Sequence, residues 1–151
     1  MGLKETLQAD LTEAIRSRDE LTSGTIRMIL AAIQVEEVAG KEARTLKDDE
    51  IIKVLSREAK KRREAADAYK DAGRADKAEQ ETKEGSVILK YLPTQLSEDE
   101  VKKIVADAVA EAGATTPQQM GAVMKIVQPK VAGKADGAMV SSLVKAVLGA
   151  N

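Results

Sequence analysis

A chain of 151 residues with no Phe, no Trp and only two Tyr, at Tyr69 and Tyr91, must build its core from aliphatic side chains. Helix faces accept Leu, Ile, Val, Met and Ala readily, whereas all-β folds lean on aromatic cross-strand pairs. The length suffices for one or two domains with a real core, and the 43% hydrophobic share is ordinary for a folded chain. The scarcity of aromatics therefore points to an all-α fold.

Periodicity agrees. Leu3, Leu7, Leu11 and Ile15 recur at i+4 and predict one apolar stripe on a first helix. A second helix is expected from about Asp19 to Val38. Its stretch Ile26–Val35 is apolar nearly all round, as in a helix central to a bundle, and Gly40 is a natural stop. Asp48-Asp49-Glu50 then opens a third helix, where carboxylates meet free N–H groups and the positive dipole end. Read as a metal site the triplet is weak, because adjacent helical residues point in different directions. Glu58 precedes Arg62 by four on the same helix, the favourable order for an intrahelical pair. The basic run Arg57, Lys60, Lys61, Arg62 and Arg63 is diluted by Glu58 and Glu64, so it reads as a solvated face that would at most extend an RNA surface. A fourth helix is expected over 74–91. These four predict an N-terminal bundle with long helical hairpins over 1–92.

Pro93 forces Leu92 away from helical geometry, so Tyr91-Leu92-Pro93 marks a boundary. Three short helices follow, a small C-terminal module over 93–151. Ser97-Glu98-Asp99-Glu100 matches a capping box, and Gly113 ends that helix. Thr116-Pro117 starts the next, which Pro129 is expected to kink or end. Asp136 is placed to cap the last.

The absence of Cys and His removes thiol nucleophiles, disulfides, the common zinc ligands and every scheme that needs an imidazole base. No catalytic set, metal site or cofactor motif emerges. The first residues carry no signal-peptide pattern and no apolar run approaches a membrane span, so the expectation is a cytoplasmic protein with no membrane association. Net charge is −1, but from Gly113 onward four lysines, Lys125, Lys130, Lys134 and Lys145, face one Asp136, a local +3. Such a patch binds polyanions even on a near-neutral chain; a few unremarkable surface lysines would look the same. Gly133-Lys134-Ala135-Asp136-Gly137 is not a P-loop, since position 128 is Gln and position 135 is Ala. It reads either as a turn alone or as a turn in which Lys134 contacts phosphate beside a helix N-terminus. Gly121 inside a helix costs about 1 kcal/mol relative to Ala, which close packing on a helix or on a ligand would offset. With aromatics scarce, any RNA would be held by shape and phosphate contacts.

The ordered set of Leu3-Lys4, Arg27-Met28 to Ile33, Leu55-Ser56-Arg57-Glu58, Lys61-Arg62-Arg63, Ala72-Gly73-Arg74, Tyr91-Leu92-Pro93, Gln95-Leu96-Ser97, Gly113-Ala114, Met120-Gly121, Val123-Met124-Lys125 and Gly133 to Gly137 resembles the stand-alone YqeY proteins along nearly the whole chain. The part from Ser97 onward also resembles the tail domain of GatB, the B subunit of the glutamine-dependent amidotransferase that matures mischarged tRNA. There the tail contacts the tRNA body and the chemistry lies elsewhere. The resemblance implies a non-catalytic tRNA-binding module, accessory to amidotransfer in translation. The residues it carries over are Gly121, Lys125, Gly133, Lys134 and Asp136, and Lys130 joins them on charge. Where the family often has Arg, this chain has Lys134, which keeps the charge but loses the bidentate geometry. Two other readings are a module that docks amidotransferase subunits or an aminoacyl-tRNA synthetase, and a carbon–nitrogen ligase with glutamine as amido donor, for which the chain shows neither a glutaminase set nor an ATP site.

Overall fold

The computed structural model describes residues 2–149, and among them it is all-helical, with no strand. The chain divides into two compact units, Met1–Leu92 and Pro93–Asn151.

The first unit holds α1 (Leu3–Arg16), α2 (Glu20–Glu37), α3 (Asp48–Asp71) and α4 (Ala75–Leu89). The helix α2 packs against α1, α3 and α4, and α3 with α4 forms a long antiparallel hairpin turned at Gly73. Its core is built on Leu and Ile: Leu7, Ile26, Ile29, Ile33, Ile51, Leu55 and Ile88 are fully buried. Two expectations about this unit change. Ile15 is half exposed and Ala14 is buried in its place. Each i+4 step advances about 40° around a helix, so three steps from Leu3 carry Ile15 off the stripe while Ala14 returns to it. Nor is α2 covered all round: Met28, Ala31, Val35 and Val38 lie on one exposed face.

Ion pairs knit these helices. Arg62 does not take up its expected partner Glu58. Its Nη1 reaches Glu81 at 3.2 Å and Glu84 at 3.3 Å on α4, while Lys61 pairs with Glu58 at 3.2 Å. Glu58, Glu81 and Glu84 are all half-buried; the single guanidinium serves the two carboxylates of α4, and the Lys61 ammonium serves Glu58. The first-turn carboxylates of α3 also work across the chain. Glu50 accepts the Lys47 N–H at 2.9 Å, whereas Asp48 accepts the Leu3 N–H at 3.0 Å and so caps α1.

The second unit holds α5 (Glu98–Ala112), a 3-10 turn (Pro117–Gln119), α6 (Met120–Val131) and α7 (Gly137–Val147). The helix α5 packs on both α6 and α7. Ser97 caps α5 by accepting the Glu100 N–H at 3.1 Å. Pro117 opens the 3-10 turn rather than the α-helix itself, and Pro129 is carried inside α6 without ending it. One turn from a C-terminus, a proline forfeits only one of the last hydrogen bonds, and packing of Val127 and Val131 continues the helix past it. Seven valines, two alanines and one leucine form the buried core. Valine is a mediocre helix former, so these short helices depend on tertiary packing, which its single preferred rotamer suits.

Candidate nucleic-acid interface

The residues singled out for polyanion contact fall on α6 and on the turn between α6 and α7. Lys125 and Lys130 are exposed on α6, and Lys145 is exposed on α7. Gly121 and Lys125 are one turn apart on the same side of α6. Lys130 is about 140° around the helix from Lys125: it borders the buried Val123–Val127–Val131 stripe, whereas Lys125 lies nearly opposite that stripe. The structure thus separates the two lysines of α6 instead of gathering them in one row.

The glycines divide as well. Gly133 sits at φ +72°, a left-handed conformation that its turn requires and that glycine adopts without strain. A Cβ on Gly121 would meet nothing within 4 Å. Close helix packing within the described chain therefore does not offset the cost of a glycine at 121.

The 133–137 turn is built by its own backbone. The Lys134 N–H donates to the Val131 carbonyl at 2.8 Å, and the Lys134 carbonyl accepts the Leu96 N–H at 2.8 Å. Gln95 Nε2 donates to the Gly133 carbonyl, also at 2.8 Å. Asp136 caps α7 by accepting the Ala138 N–H at 3.1 Å. That cap changes the electrostatic reading of the turn. A phosphate approaching the N-terminus of α7 would meet the Asp136 carboxylate, so anion attraction here belongs to the Lys134 ammonium and not to the helix end. At the start of α6 the N–H groups of Thr115 and Thr116 are likewise taken, by the Gln119 amide oxygen at 2.6 and 3.0 Å.

Charge pairing distinguishes the basic run of α3 from the lysines that follow Gly113. In the first, Arg57 pairs with Glu36, Lys60 with Glu64, Lys61 with Glu58 and Arg62 with Glu81 and Glu84. The basic run of α3 is therefore a solvated, self-neutralised face. In the second unit Lys102 pairs with Glu98 on α5, but Lys125, Lys130, Lys134 and Lys145 form no ion pair among the described residues. The acidic side chains of that unit lie on α5, apart from Asp136.

Neither tyrosine offers a stacking platform. Lys77 Nζ lies 5.7 Å from the centre of the Tyr69 ring. The Tyr91 hydroxyl donates to Asp10 Oδ2 at 2.6 Å, and burial together with that carboxylate holds its pKa well above the ordinary value. A cleft of about 250 Å³ opens along the α3–α4 hairpin, but Arg62, Arg63 and Lys70 share its lining with Asp67 and Glu81, so it does not select for anions. Among the described residues, no group of three or more His, Cys, Asp or Glu is placed to hold a metal. No described helix is long and apolar enough to cross a membrane. Sequence reasoning missed Gln95 as part of the turn, because a side chain 38 positions away from Gly133 leaves no local spacing signal.

Comparison with known proteins places the chain in a family. A family model described as Yqey-like protein matches residues 4–148. A Clavispora lusitaniae protein named "Altered inheritance of mitochondria protein 41, mitochondrial" is 31% identical over 134 residues, covering 87% of this chain and 77% of that protein. An uncharacterized protein of Schizosaccharomyces pombe is 26% identical over 96 residues, 64% of this chain and 76% of its own length. With the match running almost end to end, the chain belongs to the YqeY family.

Proposed function

We propose that this protein is a non-catalytic tRNA-binding protein, accessory to tRNA-dependent amidotransfer, that engages tRNA phosphates through Lys125, Lys130 and Lys134. The observation that carries this reading is the contrast in charge pairing: Arg57, Lys60, Lys61 and Arg62 of the α3 basic run are bound to carboxylates, while Lys125, Lys130, Lys134 and Lys145 form no ion pair among the described residues. An unpaired lysine pays little to exchange its counterions for phosphate. Without stacking aromatics, recognition rests on backbone phosphates and the shape of folded RNA, and structured RNA suits that mode. Gly121 supports it by leaving a flat step on α6 beside Lys125.

The test is a titration of tRNA at several salt concentrations. Three phosphate contacts predict a log–log slope of roughly −2 to −3 and a Kd on the order of 10 µM at physiological salt. Lys134→Ala should weaken binding and flatten the slope by about 0.7 to 0.9. Binding no stronger than that of a neutral helical control at low salt would end the proposal.

A second reading has one observation in its favour. The exposed apolar face of α2, with Met28, Val35 and Val38, suits a protein-docking surface for an amidotransferase subunit or an aminoacyl-tRNA synthetase. Val35→Glu would abolish capture of such a partner while leaving tRNA binding unchanged.

A further inference from the structure

Gln95 belongs to none of the chemistry above, yet both protons of its amide are committed. Its Nε2 donates to the Pro93 carbonyl at 2.8 Å and to the Gly133 carbonyl at 2.8 Å. Two carbonyl partners leave only one orientation for the amide, because its oxygen has nothing to offer them. The next residue repeats the pattern with its backbone: the Leu96 N–H donates to the Lys134 carbonyl at 2.8 Å, and the Leu96 side chain packs on the valine core.

We propose that Gln95 is a positioning residue for the Lys134 turn, an inference that rests on the tRNA-binding proposal. A carbonyl oxygen carries partial negative charge and repels phosphate. The turn has two such oxygens flanking Lys134, on Gly133 and on Lys134 itself, and the 95–96 segment supplies a donor to each. The turn thereby presents its ammonium without the opposing dipoles. The same bonds, with the Lys134 N–H held by the Val131 carbonyl, fix the backbone on both sides of the lysine. A lysine carried on a fixed backbone loses less freedom on meeting phosphate, and so binds more tightly, than one on a loose loop.

A double-mutant cycle on the full chain tests this, with bulk deacylated tRNA as the probe. Gln95→Ala should weaken binding about threefold to tenfold, the worth of one neutral hydrogen bond, and flatten the salt slope as Lys134→Ala does. In a Lys134→Ala background it should have no further effect, because Gln95 acts through that side chain. Gln95→Glu keeps the shape but presents oxygens to two carbonyls, and it should weaken binding at least as much. Losses that add in the double variant, or a Gln95→Glu protein that binds like wild type, would overturn the positioning role while leaving tRNA binding intact. Failure of the wild-type chain to bind tRNA would instead overturn the parent reading and this one with it. Should a substitution disturb the fold, amide hydrogen exchange on the wild-type chain decides: the Leu96 N–H should be protected relative to Thr94, and exchange of both at the solvent rate would show that the brace does not exist in solution.

Discussion

Glu37 shows how a single side chain holds several elements. At the end of α2 its carboxylate accepts Lys4 Nζ of α1 at 2.8 Å and the Leu46 N–H of the α2–α3 connection at 3.0 Å. The Lys4 hydrogen bond, followed by that of Leu46, lowers its pKa below the ordinary value of 4.5. A carboxyl whose folded pKa is depressed adds stability above its unfolded value and loses that contribution as pH falls through the folded one. Glu37→Gln should therefore be less stable than wild type near neutrality, with the gap closing as pH drops below about 4.5; urea midpoints measured from pH 7 to pH 3 check this, and a gap that stays constant would contradict it. Arg62 gives a second test at this scale. Its side chain is 18% exposed between Glu81 and Glu84, so Arg62→Ala should cost about 2 kcal/mol through the two carboxylates left facing each other. Arg57→Ala, whose partner Glu36 lies at the surface, should cost less than about 0.5 kcal/mol in the same unfolding measurement. Neither assignment was legible in the sequence. A pair such as Glu58 and Arg62 shares a helix and shows in its spacing, but Lys4 with Glu37 and Arg62 with Glu81 meet only after the helices pack.

Elements were more legible than pairs. The helices announced themselves by aliphatic spacing, and some also by a cap, as Ser97 does for α5 and Asp136 for α7. The errors came from phase. An i+4 run drifts around the helix, so Ile15 leaves the stripe on which its spacing from Leu3 would place it. The all-round apolar content of α2 implied full burial, yet the neighbours available to it cover only the Ile26–Ile29–Ile33 side. Gly121 separates the structural and functional demands on α6. A Cβ there meets nothing, so Gly121→Ala should raise unfolding stability by about 0.5 to 1 kcal/mol. Under the tRNA proposal the same substitution should weaken binding. A variant that is both more stable and undiminished in tRNA affinity would show that position 121 takes no part in the interface.

For the whole molecule, the fold class followed from what the chain lacks: without Phe or Trp, aliphatic helices were the economical way to build both cores. The candidate site was legible as a list of residues but not as a surface. Sequence spacing grouped Lys125 with Lys130, and helical geometry separates them; it left the 133–137 turn with two readings, and Asp136 proves to be its cap. Which cations are free to meet phosphate depends on where the carboxylates fold, and net charge conceals that, since the lysine-rich stretch of the second unit is offset by acidic α5. The central claim is that tRNA is held by the unpaired lysines and not by the longer basic run of α3. The most direct measurement compares two triple variants of the full chain in one tRNA salt titration, Lys125→Ala/Lys130→Ala/Lys134→Ala and Arg57→Ala/Lys60→Ala/Lys61→Ala, which remove the same charge. The account predicts that the first abolishes the salt-dependent binding and the second retains it with a nearly unchanged slope; equal losses in the two variants, or a greater loss in the second, would contradict it.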